Sequence, residues 1–432
     1  VHPWAGEPYY DHFANELLRP QTYFADGQIQ DEVYVYGSFI QSKMYHKGIR
    51  CTDCHDPHSA RLIHSGNTVC TSCHQHPAGK YDTPAHHHHT PGSPGSRCVD
   101  CHMPEVTYMM VDPRRDHSFR VPRPDQSVTL GTPNACTGCH LKPENVPAAE
   151  LAGVEQYIDW IRAARGRDGV RTELDRVNRW ALEHTREWYG ELKEDHRQFA
   201  GAVHAAWSGD PRAAARLAEV IENPRVSGMG RATALTEFGI VAGPPAIEPA
   251  VRALGDKDPQ VRAAAVAALQ ILPADRLVKL LPPLLDDPSR WVRIEAARML
   301  AQIPGQLLTG PQRNRRAEVL KELETSLMTS SDRAGAHMAL GGVYEALGDF
   351  DRALSAYRTA IRVEPNFTGA RTNLAALLEG LAEQQNRLAE QAARGGDMTT
   401  ARKHVDRLVD YQEEAEQARK DEMPLLARDV QQ

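Results

Sequence analysis

The chain has 432 residues, of which 41% are hydrophobic and 25% charged, with a formal charge of −7. That length supports two or three domains with cores of their own. No uninterrupted apolar stretch reaches membrane-spanning length, and a net acidic chain supplies no basic field for nucleic acid.

Residues 1–150 read as loop-rich. Pro, Gly, His and Asp recur too often for long helices or strands, as in TPAHHHHTPGSPGSR. Such a segment cannot bury enough aliphatic surface to offset its chain entropy, so something other than amino acids is expected at its core. All eight cysteines fall between Cys51 and Cys139, and 15 of the 20 histidines lie within residues 1–140. The chain begins at Val1, as expected of a cleaved export signal or a longer precursor.

The cysteines form four CxxCH sites: Cys51/Cys54/His55, Cys70/Cys73/His74, Cys98/Cys101/His102 and Cys136/Cys139/His140. Two thiols three residues apart can each add to a vinyl group of one haem, and the adjacent His then sits under the iron as proximal ligand. Paired CxxC would also suit a zinc ribbon, which needs no such His. Chance alone would put His after all four with a probability on the order of 10⁻⁴. Four covalent c-type haems are therefore expected, and with them export to a periplasmic or extracellular location.

From about Ala148 the pattern becomes amphipathic helix, with Tyr157, Trp160 and Ile161 as an example. RATALTEF at Arg231, RAAAVAAL at Arg262 and RIEAARML at Arg293 then repeat with a period of 31. Leu235, Val266 and Ala297 share one position of this unit, and Phe238, Leu269 and Leu300 another. The turns DKDP and DDPS supply caps and a Pro near the helix start. The unit resembles HEAT-type helix pairs. Further on, Leu340, Gly341, Tyr344, Ala353, Tyr357, Ala360 and Pro365 fall at tetratricopeptide spacings, and a partial unit follows from Thr368. Gln412–Asp421 reads as a solvated helix end. The expected fold is mostly α: a loop-rich tetrahaem domain over residues 1–145, HEAT-like repeats over 146–310 and tetratricopeptide-type repeats over 311–432, the last two as an α-solenoid.

The runs DEVYVYGSFIQSKMYHKGIRCTDCHDPHS, TPAHHHHTPGSPGSRCVDCHMPE and YMMVDPRRDHSFRVPRPDQSVTLGTPNACTGCH resemble a family of exported multihaem cytochromes that end in tetratricopeptide repeats. Their haem region is related to cytochromes of nitrite and hydroxylamine metabolism. The resemblance implies distal iron ligands at His58 of the CHDPH run, His117 of DHSF, His87 and His89 of the HHHH tract, and His12 ahead of the first site. Met109 and Met110 could ligate iron but read rather as packing, and Arg114, Arg115, Arg120 and Arg123 read either as partners for haem propionates or as part of a solvated loop.

Closely tethered haems form a path for electrons, and the surplus of histidine favours six-coordinate irons and simple transfer over catalysis. A multihaem reductase with one open iron, or a redox-sensing scaffold acting through its repeats, are the alternatives. The expected partners are redox proteins or other copies of the chain. Copies are expected to join head to tail into a filament, residues 1–50 lending a ligand to a neighbour; the alternative is a monomer whose arm folds back.

Overall fold

The computed structural model describes residues 6–74, 80–108, 112–151, 160–191 and 199–429. They form two compact units, Ala14–Ile271 and Leu272–Gln432 with Val1–Phe13. The loop-rich segment thus shares a unit with the helices up to residue 271, and the unit boundary falls inside the stretch read as HEAT-like.

In the unit Ala14–Ile271, residues up to 145 form short helical turns and one antiparallel hairpin, Glu105–Tyr108 with Asp112–Arg115. Among the described residues from Ser42 to Asn145, no Ala, Val, Leu, Ile, Met, Phe, Tyr or Trp side chain is buried. Polar groups are buried there instead. Arg120 bridges Asp26 (3.2 Å) and Asp116 (3.1 Å), all three enclosed. Burial works to raise the Asp116 carboxyl, but Arg120 and the bonds from Ser118 outweigh it and hold it below the ordinary carboxylate range.

The segment before the first CxxCH lies against helices of its own unit. Leu18 N–H donates to Thr233 Oγ1 (3.2 Å), the Asn15 amide donates to Gln260 Oε1 (3.2 Å), and Tyr23 is 1% exposed. Residues 15–23 are therefore folded against helices of their own unit.

The helices Gly228–Ala242 and Pro259–Ala268 carry the first two repeats. Asp258 accepts from Gln260 N–H (2.9 Å) as N-cap, with Pro259 in the first turn, where its missing N–H costs nothing. Arg262 donates to the carbonyls of Asp256 (2.8 Å) and Lys257 (3.2 Å), tying the helix to the turn before it. Leu235, Val266, Phe238 and Leu269 are all buried.

In the other unit the helix Arg290–Ala301 repeats the arginine bonds 31 residues on, but not the N-cap bond, since the Ser289 side chain caps nothing. Ser289 N–H donates to Asp287 (2.8 Å), and Arg293 donates to the carbonyls of Asp287 (2.8 Å) and Pro288 (3.2 Å). Its N-terminus is met by Asp11, which accepts from Arg290 N–H (2.7 Å), while Tyr10 packs on Trp291.

The helices Ala334–Ala346 and Phe350–Val363 form the tetratricopeptide pair. Gly341 has no side chain because a Cβ there would come within 2.3 Å of the Tyr357 ring. That ring is 1% exposed, and its hydroxyl donates to Glu345 (2.8 Å). Burial first, then Glu345, pushes the phenol pKa up.

The helices Ala370–Arg394 and Met398–Asp429 complete the unit. Leu374, Leu377, Leu378 and Leu381 pack in one cluster with Ala415 and Ala418. Gln412–Asp421 is thus the middle of a 32-residue helix with one buried face, not a solvated end. Two small alanines carry that contact, so the hydrophobic stripe is too thin to stand out among the charges. No helix among the described residues is long and apolar enough to cross a membrane.

Candidate haem-binding site

Each CxxCH folds as one helical turn: Cys51–Asp53, Thr68–Thr71, Cys98–His102 and Thr137–His140. In three of them the His N–H donates to the carbonyl of the first Cys, at 2.9 Å for His55, 2.9 Å for His74 and 3.0 Å for His140. That turn gathers two thiols and an imidazole at one place, as a single macrocycle would need. None of the eight cysteines is in a disulfide. Burial raises the pKa of Cys54 and Cys101 and pushes Cys136 up to about 12, which keeps these groups as neutral thiols.

The four turns also neighbour one another in sequence order. Cys73 stands close enough to Cys54 to help raise the pKa of the Cys54 thiol. The Cys70 thiol donates to Cys98, raising the first pKa and lowering the second. Cys101 stands near Cys136 and Cys139. Among the described residues, no group of three or more His, Cys, Asp or Glu is arranged to hold a bare metal ion.

Histidine pairing is the more telling geometry. Two imidazoles holding one iron from opposite sides, with metal–nitrogen bonds of about 2.0 Å and about 1.1 Å from each nitrogen to its ring centre, would have their ring centres about 6.2 Å apart. His55 and His117 lie 6.3 Å apart, His102 and His86 6.2 Å apart with planes within 8°, and His140 and His89 6.0 Å apart.

Hydrogen bonds set the tautomers. A carbonyl can only accept, so a ring nitrogen facing one must carry the proton, leaving the other nitrogen as the ligating lone pair. Nδ1 of His55 donates to Ala60 O (2.7 Å), that of His102 to Arg120 O (2.6 Å) and that of His117 to Arg115 O (2.9 Å). His89 Nδ1 likewise donates to His87 O. Burial lowers the pKa of His86, His102, His117 and His140, favouring the neutral form an iron ligand requires. At the first, third and fourth sites the residues fit a covalently held haem with two axial imidazoles.

The other expected ligands stand elsewhere. His58 is exposed, its backbone N–H donating to Asp56 (3.2 Å). His12 Nε2 bonds Glu7 (2.6 Å). His87 accepts from His89 N–H (3.2 Å) through Nδ1, and it is His86, absent from the expected set, that faces His102. The ring beside His74 is that of Tyr81, at 6.3 Å and 89°. His2, His76, Met109, Met110 and Tyr157 lie outside the described residues. The four arginines flanking His117 each pair with protein carboxylates: Arg114 with Asp112 and Glu32, Arg115 with Asp100, Arg120 with Asp26 and Asp116, Arg123 with Asp125.

The fourth CxxCH is tied to the helix Asp168–Tyr189. Glu173, 3% exposed, accepts from Lys142 N–H (2.8 Å), the Asn145 amide (2.9 Å) and the Arg176 guanidinium (2.6 and 2.7 Å). The Arg176 bonds first, with Asn145 and Lys142, hold its carboxyl at about 2 despite burial.

Two family models match the chain. HEAT repeats match residues 214–301 and 247–341, and a tetratricopeptide repeat matches residues 334–367. The chain therefore carries both repeat types, of the α-solenoid class, which usually mediate contacts between proteins. No curated protein and no solved structure matches it.

Proposed function

We propose that the chain is an exported multihaem c-type cytochrome that carries electrons along four haems bound between Cys51 and His140, and that its helical repeats hold a redox partner protein. The observation that carries this reading is the set of three histidine pairs at axial spacing, each containing the His of a CxxCH turn. Aromatic rings pack at such distances without any metal, as His87 and His89 do at 6.4 Å; what supports the reading is that each of the three pairs contains the His of a CxxCH turn.

Haem iron supplies one-electron chemistry through its ferric and ferrous states. The chain's own groups do the rest. The paired cysteines would hold each haem through thioethers, the S–H adding across a vinyl C=C with no leaving group and no net oxidation. His55, His74, His102 and His140, next to those thiols in sequence, would each ligate an iron, and His117, His86 and His89, which face three of them, would supply the second imidazole. The succession of neighbouring thiols, Cys54 by Cys73, Cys70 by Cys98 and Cys101 by Cys136, supports transfer in sequence order from the first site to the fourth. Attachment of c-type haem outside the cytoplasm supports export.

Intact mass after acid–acetone extraction of the purified protein tests the reading. Four haem increments retained on the chain are expected; a chain without them overturns it.

A further inference from the structure

We propose that the helix Asp168–Tyr189 is part of the electron-carrying site: its aromatic face seats the His86–His89 run and thereby turns His86 toward His102 and His89 toward His140. This rests on the haem reading above.

Trp180, His184 and Trp188 recur every four residues and so share one side of the helix. Their rings form an unbroken series. Trp180 lies 4.5 Å from His140, His184 lies 4.7 Å from Trp180, and Trp188 lies 5.5 Å from His184. At the far end His88 stacks on Trp188 at 4.3 Å with planes within 7°. Tyr189 adds a second hold, its hydroxyl donating to the carbonyl of His86.

The stacked residue is the one that reverses the chain. His88 has φ +55, a left-handed conformation that a non-glycine residue adopts only under constraint. It ends the short helix Pro84–His87 and sends His89 away from His86. Stacking against Trp188 holds the strained residue in place, so two ligands three positions apart can serve two different irons. Gly95 completes the seat, since a Cβ there would occupy the space of the His89 ring.

Trp188 and Gly95 act through the histidines and are positioning residues. The test uses the full haem-loaded chain, counting attached haems by mass and high-spin ferric haem by electron paramagnetic resonance. Trp188→Ala should retain four haems while up to two become high spin, and Trp188→Phe should restore the low-spin state. Gly95→Ala should turn one haem high spin. Should Trp188→Ala fail to fold, Gly95→Ala still decides, and Leu217→Ala, a buried change in the same unit, controls for general destabilisation and should leave the spin state alone. Four attached haems with an unchanged low-spin signal in both Trp188→Ala and Gly95→Ala overturn the seat and leave the haem reading standing. An unmutated chain without haem increments removes both.

Discussion

Glu173→Gln should loosen the segment after the fourth CxxCH without disturbing the rest of the helix Asp168–Tyr189. The carboxylate collects four donated bonds, from Lys142, Asn145 and Arg176, at a position 3% exposed. An amide keeps the shape but turns an NH₂ toward donors and leaves the guanidinium without its counter-charge. A carboxyl held at about 2, against an ordinary value of 4.5, is worth at most about 3 kcal/mol. Arg176 is 42% exposed, so water screens its share. About 2 kcal/mol is the expected loss, in line with removing a charged hydrogen-bond acceptor.

Hydrogen exchange followed by mass spectrometry reads this at the Lys142 amide, which Glu173 accepts directly. Protection of residues 141–151 should fall about 30-fold at neutral pH. The folded pKa is depressed, so the contribution is complete above the unfolded value of 4.5 and is lost as pH falls through about 2. The two proteins should therefore converge as the pH approaches 2. Equal protection at neutral pH, or a gap that persists unchanged in acid, would refute the reasoning.

His117→Ala should turn one haem high spin by electron paramagnetic resonance, because His117 faces His55 at 6.3 Å, whereas His58→Ala should leave the spectrum unchanged; the reverse pattern would reassign the first site. Gly341→Ala should destabilise the tetratricopeptide pair by about 1–3 kcal/mol through overpacking against Tyr357, seen as earlier thermal loss of helical circular dichroism. An unshifted melting curve would contradict that contact.

The repeats were legible because their information is local and periodic. Leu235, Val266 and Ala297 are buried because a 31-residue unit places each on the same face, and the sequence states that face directly. Gly341 and Tyr357, likewise, stand at spacings that hardly allow another packing. The CxxCH turns are local too: five consecutive residues carry both thiols and the imidazole.

Register within the HHHH tract was not legible. Four identical residues hold no internal clue to direction; His86 rather than His87 faces His102 because of the backbone at His88 and because of Trp188 and Tyr189, about 100 residues along the chain. The stripe Trp180, His184, Trp188 was visible at helical spacing, but its partner surface was not. The unit boundary at 271/272 was hidden as well, since the described residues of 14–145 have few buried apolar groups of their own and pack with the helices of their unit. Sequence alone determined which residue types recur and at what period, since periodicity records burial on an element's own face. Tertiary structure decided which histidine meets which, because that depends on contacts between segments whose separation leaves no trace in local pattern.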